Sequence, residues 1–245
     1  MEKRRKRRIV WKLSGEALSG IGRKGHFRDA YEHVCREARS VSRDVELAIV
    51  LGGGNINRGS EIIAKLKLPR RDEVAAHWAG MLHTYINGML LQTVMRRDFK
   101  LATRLMLARP YPEIGEPFVR DRALHHLERG RIVILAGGTG NPGASTDSGA
   151  VLRAYELGAD MVLKGTKVDG VYDRDPREKG AVLLPKLTST EFRRRKLERI
   201  FDGPAVESAL GFHLPIRVYD AFTPGNLRRA LAGRVGSIIL PAASE

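Results

Sequence analysis

Three glycine-containing stretches, each following an apolar run, are the parts of this sequence best suited to chemistry. In RIVILAGGTGNPGASTD (131–147) an apolar run enters a glycine loop, and Asp147 then opens a helical pattern. VELAIVLGGGNINRG (45–59) has the same arrangement, and IVWKLSGEAL (9–18) has a lighter form of it. A loop between a strand and a helix N-terminus presents free backbone N–H groups to an anion. The three junctions predict a site for a molecule that carries several phosphates.

Lys12, Lys164 and Asp147 fall at strand ends or at a helix N-terminus in this pattern. Phosphoryl transfer requires positive groups around the moving phosphoryl group and a group that holds them in place. The two lysines would neutralise opposite sides of that charge, and Asp147 would hold the lysines or a Mg²⁺ ion. A single lysine at a strand end is more often a surface residue whose stem covers apolar surface. Their coincidence with three glycine loops favours the catalytic interpretation.

Other motifs are weak or absent. GTGNPG (138–143) formally matches the dinucleotide fingerprint G-x-G-x-x-G, but Pro142 lies inside it and no acidic residue ends the next strand. The sequence has no G-x-x-x-x-G-K-[ST], so a P-loop is excluded as the phosphate cradle. His125 and His126 are neighbours on a predicted helix, where consecutive residues do not face each other.

Apolar runs and turn signals predict the elements that hold these residues. Strands are predicted over 9–13, 45–51, 100–107, 132–137, 160–164, 215–219 and 237–240. Helices are predicted over 29–43 with Asp29 as N-cap, over 73–97, 119–129, 188–200 and 204–212, from Asp147 onward, and with Pro224 as a first helical residue. Strands that alternate with helices indicate an α/β protein with a mostly parallel sheet covered on both faces.

Bulk composition limits the class of protein. The chain has 245 residues and 42% apolar residues, which is enough for one large α/β domain. No apolar run approaches the roughly 18 residues that a membrane span needs, and no signal-peptide pattern is present. Cys35 is the only cysteine. An internal disulfide is therefore excluded, and a cytoplasmic location without a membrane is expected.

The net charge is +15, and six of these charges form the run from Lys3 to Arg8. A second cluster, RRRK, covers 193–196. Such runs indicate either nucleic-acid binding or a solvated basic tail on a protein with anionic ligands. We favour the tail, because no DNA-binding motif or stacking-aromatic pattern accompanies the charge. Weak nucleic-acid binding through residues 1–8 stays open.

Six motifs carry a resemblance to a known family. They are KLSGEAL (12–18), GGGNINRG (52–59), GMLHTYING (80–88), GTGNP…STD (138–147), KGTKVDGVYDRDP (164–176) and LPIRVYD (214–220). In this order they resemble the bacterial-type uridylate (UMP) kinases of the amino-acid-kinase superfamily. The resemblance extends from residue 9 to about residue 240 and leaves out the basic head.

The resemblance implies a three-layer αβα sandwich with a mostly parallel central sheet. It implies an enzyme of pyrimidine nucleotide biosynthesis that transfers the γ-phosphoryl group of ATP to UMP with Mg²⁺. A homohexamer is typical of the family. We expect a tail at 1–8 and a single domain at 9–245, with its acceptor-binding part at about 9–150 and its ATP-binding part at about 151–245. The alternatives are a kinase of the same fold for another phosphate- or carboxylate-bearing acceptor, and a catalytically silent nucleotide-sensing or nucleic-acid-binding regulator.

The resemblance also implies residue roles. The transfer centre would be Lys12, Asp147 and Lys164. ATP contacts would come from Lys12, Leu13, Ser14, Gly15, Gly54, Arg58, Thr166, Tyr172 and Asp175. UMP contacts would come from Gly53, from the position of His77, and from Thr139, Gly140, Asn141, Pro142, Gly143, Ala144, Ser145 and Thr146. Asp202 matches a family aspartate to which we assign no role.

Two departures from the family fall on the acceptor side. His77 stands where the family has an aspartate that receives the UMP ribose hydroxyls. A neutral imidazole offers one acceptor and one donor, whereas a carboxylate accepts two hydroxyl hydrogen bonds. His77 either takes over part of that role or only packs on its helix. In the second case Asp72 or Glu73 would stand in for the family aspartate. In the loop at 142–146, Gly143 and Ala144 replace bulky family residues and remove apolar surface from the acceptor pocket.

Overall fold

A computed structural model describes residues 5–197 and 200–241. In these residues the sheet strands are β1 (Arg7–Leu13), β2 (Val45–Leu51), β3 (Thr103–Leu107), β4 (Glu116–Pro117), β5 (Ile132–Ala136), β6 (Met161–Thr166), β7 (Lys186–Thr188), β8 (Ile216–Asp220) and β9 (Ser237–Leu240). The helices are α1 (Arg28–Val41), α2 (Gly59–Leu66), α3 (Glu73–Arg97), α4 (Arg120–Glu128), α5 (Thr146–Leu157), α6 (Ser189–Arg194), α7 (Gly203–Gly211) and α8 (Asn226–Leu231).

The strands form one sheet in the order β4-β3-β5-β2-β1-β6-β8-β9-β7. Every described pair in it is parallel except β8–β9. The parallel centre places the carboxyl ends of β5, β2, β1 and β6 side by side at one edge. In α/β sheets, ligands bind outside that edge.

The two faces of the sheet are covered by separate apolar cores. On β1, Ile9, Trp11 and Leu13 pack with residues of α1, α3 and α8, whereas Val10 packs with residues of α4, α5 and α7. This follows from the alternation of side chains along a strand, and β1 is nearly continuously apolar because both of its faces are buried. The predicted αβα sandwich with a mostly parallel sheet is confirmed. In the described ranges no helix is both long and apolar enough to span a bilayer. The division into an acceptor part and an ATP part stays a prediction.

The predicted basic tail ends earlier than expected, because β1 begins at Arg7 rather than at Ile9. Arg8 is only 6% exposed, and its Nε donates to Glu46 Oε2 at 2.7 Å. Its guanidinium also donates to the carbonyl of Leu157, and its backbone N–H donates to Asp160. The last two arginines of the run are therefore part of the sheet, and Arg8 is not available to a polyanion. Residues 1–4 of the predicted tail lie outside the described residues.

Several predicted boundaries are wrong for local reasons. Asp29 is not the N-cap of α1; the helix begins at Arg28, and the Asp29 carboxylate pairs with Arg23 at 2.7 Å. Pro224 does not begin α8, because Gly225 follows it at φ +80° and the helix starts only at Asn226. A residue in the left-handed region interrupts the helical dihedrals and separates Pro224 from the helix.

Three elements were not predicted, and one helix is shorter than expected. β4 and β7 have two and three residues and α2 has eight, so each is shorter than the stretch of about 11 residues over which a helical apolar period is recognised. The helix predicted over 188–200 ends at Arg194, and residues 198 and 199 lie outside the described residues.

The buried Arg8–Glu46 pair gives a stability prediction. Arg8→Met leaves the Glu46 carboxylate buried without its partner, and we expect the free energy of unfolding to fall by about 3 kcal/mol. Arg5→Met is the control, because its pair with Asp160 is largely exposed and should contribute less than about 1 kcal/mol. Equilibrium urea unfolding measures both. Equal losses in the two variants would contradict the structural role of Arg8.

Candidate active site

Two lysines lie next to each other at the carboxyl ends of β1 and β6. Lys12 and Lys164 are partners in the register of these parallel strands, and they are 6% and 8% exposed. Lys12 is two residues beyond Val10, and Lys164 two beyond Val162, so both point to the face of the sheet that α5 covers. The structure therefore brings together two residues that are 152 positions apart, at the sheet edge where ligands bind.

The N-terminus of α5 brings a carboxylate between the two ammonium groups. Ser145 caps this helix, since its Oγ accepts from the backbone N–H groups of Asp147 and Ser148 at 3.1 and 3.0 Å. Asp147 Oδ1 lies 2.8 Å from Lys12 Nζ, and its Oδ2 accepts from Lys164 Nζ at 2.5 Å. Each carboxylate oxygen thus faces one ammonium group, Oδ2 through a hydrogen bond and Oδ1 through an ion pair alone. Asp147 was predicted to hold either the two lysines or a Mg²⁺ ion, and these contacts support the first role.

Burial and charge act against each other in this triad. Burial alone raises the pKa of Asp147, but the ammonium groups of Lys12 and Lys164 outweigh it and lower that pKa to about 2. Burial and the charge of Lys12 lower the pKa of Lys164 to about 8, although Asp147 opposes this shift. The ring of Phe201 lies 4.8 Å from Lys164 Nζ and adds a cation–π contact. With both lysines charged, the triad holds one net positive charge.

Asp202 joins this site through the helix caps. It is the N-cap of α7, where its Oδ1 accepts from the backbone N–H of Ala205 at 2.7 Å. Its other carboxylate oxygen accepts a short hydrogen bond from Ser145 Oγ, and Ser148 Oγ also donates to it. Burial raises the pKa of Asp202, with the Ala205 N–H acting in the opposite direction. Asp202 therefore ties α7 to the cap of the helix that carries Asp147.

The glycine loops approach one another closely beside the triad. A Cβ atom at Gly15 would lie 2.5 Å from the backbone nitrogens of both Gly54 and Asn55, so no larger residue fits there without a shift. The backbone N–H of Gly52 donates to the carbonyl of Leu13 at 2.9 Å, which joins the loop after β2 to the end of β1. In the described part of the chain, no group accepts a hydrogen bond from the N–H of Gly53 or Gly54. These two groups are donors suited to an anion.

The loops and the triad line one cleft of about 1120 Å³. The predicted site residues that line it are Lys12, Ser14, Gly15, Gly53, Gly54, Arg58, His77, Asn141, Gly143, Ala144, Ser145, Thr146, Asp147, Lys164, Thr166 and Asp175. Predicted residues outside this lining are Leu13, Thr139, Gly140, Pro142 and Tyr172. The Leu13 side chain is fully buried in the core, and the Tyr172 hydroxyl donates to Asp169 at 2.7 Å. Their predicted contacts with nucleotide stay predictions.

Among the residues predicted for the acceptor ribose, His77 lines the described cleft, whereas Asp72 and Glu73 do not. His77 is half-buried, and its Nδ1 would lie 3.0 Å from a Cβ atom at Gly59, so α3 and the start of α2 are in close contact there. Asp72 pairs at 3.6 Å with its neighbour Arg71 on the surface. Of these three residues, His77 alone lines the cleft, and its contact with UMP stays a prediction.

Two side chains that the sequence did not indicate support the loop of the acceptor side. Arg109 Nε donates to the carbonyl of Gly140 at 2.9 Å, and its guanidinium lies 5.7 Å from the ring of Trp78. Thr84 Oγ1 accepts from the backbone N–H of Gly137 at 2.7 Å. Arg109 lies between the motifs, so no sequence pattern indicates it. Thr84 lies inside the motif at 80–88, but a lone threonine on a helix carries no signal of its role.

Comparison with known proteins agrees with this geometry. The model of the amino acid kinase family matches residues 7–209. A uridylate kinase of Rubrobacter xylanophilus is 44% identical over 237 residues, which cover 95% of this chain and 91% of that protein. A chloroplastic uridylate kinase of Arabidopsis thaliana is 41% identical over 236 residues, with 95% and 68% covered. The crystal structure of a UMP kinase from Bacillus anthracis superposes with a TM-score of 0.90 at 35% identity, and 99% of each chain is covered.

The low pKa of Asp147 predicts how stability depends on pH. A carboxyl whose pKa is about 2 in the folded chain and about 3.9 when unfolded stabilises the fold above pH 4 and loses that contribution as the pH falls to 2. Between pH 4 and 2 the wild type should therefore lose about 2 kcal/mol more than Asp147→Asn. Urea unfolding across this range measures the difference, with Asp121→Asn, an exposed carboxylate, as the control. Parallel pH curves for wild type and Asp147→Asn would contradict the triad.

Proposed function

The chain belongs to the amino acid kinase family, and we propose that it transfers the γ-phosphoryl group of ATP to UMP and so makes UDP. All three named relatives are uridylate kinases or UMP kinases. The match covers nearly the whole length of two of them. We further propose that the reaction serves pyrimidine nucleotide synthesis in the cytoplasm. The alternatives are another acceptor on the same scaffold and a regulator that binds nucleotide without transfer.

The observation that carries the proposal is the triad of Lys12, Asp147 and Lys164 beside the glycine loops. In the transfer, a phosphate oxygen of UMP forms a bond to the γ-phosphorus, and the bond from that phosphorus to the bridging β–γ oxygen breaks. Negative charge on the transferred group and on the departing ADP must be balanced in a site that excludes water. Two fixed ammonium groups supply this balance, and Asp147 holds them without reorganisation at the moment of transfer.

We propose that Mg²⁺ enters with ATP and is held mainly by its phosphates. Mg²⁺ in kinase sites is commonly bound by one or two carboxylates together with substrate phosphates. No group of three or more His, Cys, Asp or Glu side chains that could hold a metal occurs within 5–197 and 200–241. Asp147 is engaged by two lysines, and Asp202 is engaged by caps, so neither is arranged as part of a protein-built cage. When bound, the ion neutralises charge on the phosphates.

We propose that the protein is a homo-oligomer whose contact includes one face of α3. Trp78, Leu82, Ile86 and Met89 recur at three- and four-residue spacing on this helix and are 36–49% exposed. A contiguous exposed apolar stripe of this kind marks a protein–protein contact. The number of six subunits comes from the resemblance alone, and light scattering coupled to size-exclusion chromatography measures it.

The experiment that tests the proposed function follows ADP formation from Mg-ATP with UMP, CMP, dUMP or no acceptor. We expect turnover with UMP to exceed the others, and we expect chelation of Mg²⁺ to abolish it. Lys12→Ala should lower kcat at least about 100-fold, because one fixed charge at the transferring group is lost. Lys186→Ala, at an exposed position of β7, is the control and should leave kcat unchanged.

Each contrary outcome has a definite meaning. Transfer to another acceptor in a wider screen would favour a kinase of different specificity. Binding of ATP without transfer to any acceptor would favour the regulator. Normal turnover by Lys12→Ala would contradict the assignment of the transfer centre.

The position of His77 gives a second prediction for this reaction. His77→Asp should lower the KM for UMP about 10-fold, because a charged acceptor toward a ribose hydroxyl contributes about 1.5 kcal/mol more than a neutral one. The KM for ATP should not change, and His77→Asn separates the effect of charge from that of shape. If neither variant alters the KM for UMP, His77 does not touch the nucleotide.

A further inference from the structure

Two buried asparagines form a closed amide pair beneath the glycine loop that follows β2. Asn55, at the end of that loop, and Asn87, in the middle of α3, are both 0% exposed. Asn55 Nδ2 donates to Asn87 Oδ1 at 3.0 Å, and Asn87 Nδ2 donates to Asn55 Oδ1 at 2.7 Å. Buried amides are retained only where their donors and acceptors are satisfied, and here each side chain satisfies the other.

The remaining donor of each amide holds a backbone carbonyl of the cleft wall. Asn87 Nδ2 donates to the carbonyl of Gly52 at 2.7 Å, and Asn55 Nδ2 donates to that of Gly25 at 3.0 Å. The backbone of Asn55 adds a third bond, because its carbonyl accepts from the N–H of Gly25 at 2.7 Å. The pair therefore fastens both ends of the 52–55 loop, one to α3 and the other to the loop that contains Gly25.

The loop between these fastenings contains the backbone donors of Gly53 and Gly54. The turn that follows β1 packs closely against it, since a Cβ atom at Gly15 would lie 2.6 Å from Asn55 Oδ1. Glycine has the largest conformational freedom of any residue, so three consecutive glycines do not hold a fixed geometry by themselves. The N–H of Gly52 is held by the carbonyl of Leu13. The bond from Asn87 to the Gly52 carbonyl holds the next peptide group, the one to which the Gly53 N–H belongs.

We propose that Asn55 and Asn87 are positioning residues for phosphoryl transfer, which hold the Gly52–Gly54 backbone in the geometry that the phosphates require. The inference rests on the proposed function for the identity of the reaction, but its structural claim concerns phosphate binding by this loop. A purely structural pair would affect stability alone. A positioning pair affects the binding of phosphates and kcat beyond its effect on stability.

The first test separates stability from positioning with single variants. Asn87→Leu keeps the side-chain size and removes the hold on Gly52, and we expect kcat with ATP and UMP to fall about 10- to 100-fold. Met95→Ala is the matched control, because Met95 is fully buried on the same helix two turns further on and away from the cleft. It should lower the thermal midpoint at least as much as Asn87→Leu while kcat changes less than about 2-fold. If Asn87→Leu does not fold, Asn87→Ser takes its place.

The second test is the double variant Asn55→Leu/Asn87→Leu. Replacing both partners by apolar side chains leaves neither amide unsatisfied, so the thermal midpoint should recover relative to either single variant. Activity should stay low, because Gly52 and Gly25 are still released. Recovery of kcat together with the midpoint would overturn the proposal and leave the pair a structural one.

A binding measurement keeps this inference separate from the proposed function. Calorimetric titration compares ATP with adenosine, which lacks the phosphates. Asn87→Leu should weaken the binding of ATP at least about 10-fold and leave adenosine unchanged. If the wild type transfers nothing to UMP but Asn87→Leu still loses ATP binding and keeps adenosine binding, the proposed function fails and the inference stands. Equal loss for both ligands would overturn the inference.

Discussion

The burial of two ammonium groups side by side is the constraint on which the centre of this protein depends. Lys12 and Lys164 are in register on adjacent strands, so their charges repel in a medium that also withholds water from them. Asp147 makes this arrangement tenable, and it reaches the lysines only because α5 begins above the carboxyl ends of β1 and β6. The start of that helix is fixed by Ser145, and Ser145 is in turn held by Asp202. Through Asp202 and Ser145, the position of α7 therefore helps to fix Asp147 between the two lysines.

The same constraint explains why the loops around the triad are rich in glycine. A net positive charge in a buried site attracts an anion, and backbone N–H groups complete such a site without adding a further charge. They reach a phosphate only if no Cβ atom intervenes. At Gly15 the backbone of the next loop already occupies the place that a Cβ would take. The Asn55–Asn87 pair then supplies the rigidity that the glycines lack.

The sequence predicted the parts of this arrangement that depend on local pattern. The apolar run at 9–13 identified Lys12 as the one polar member of a short strand, and the apolar spacing over 73–97 matches α3 at both ends. Contacts between distant residues were not predictable in this way. Arg8 was placed in a solvated basic run because its partner, Glu46, is 38 positions away. Asp202 had no assigned role because Ser145 is 57 positions away. α2 was not predicted because its eight residues are fewer than the roughly 11 over which a helical period is recognised.

The two sides of the cleft differ in what fixes their shape, and this difference bears on the acceptor. Beside the triad, close backbone contacts at Gly15 leave little room for substitution. On the acceptor side, Gly143 adopts φ +80° with no described atom near the place of a Cβ, so this loop gains no packing from side chains there. Its shape depends instead on two hydrogen bonds between scaffold side chains and the loop backbone: Arg109 donates to the carbonyl of Gly140, and Thr84 Oγ1 accepts from the N–H of Gly137. Loss of bulky residues at 143 and 144 is therefore compatible with a defined pocket. Under the proposed function, the selectivity for the acceptor then depends on α3, through His77, more than on the loop's own side chains.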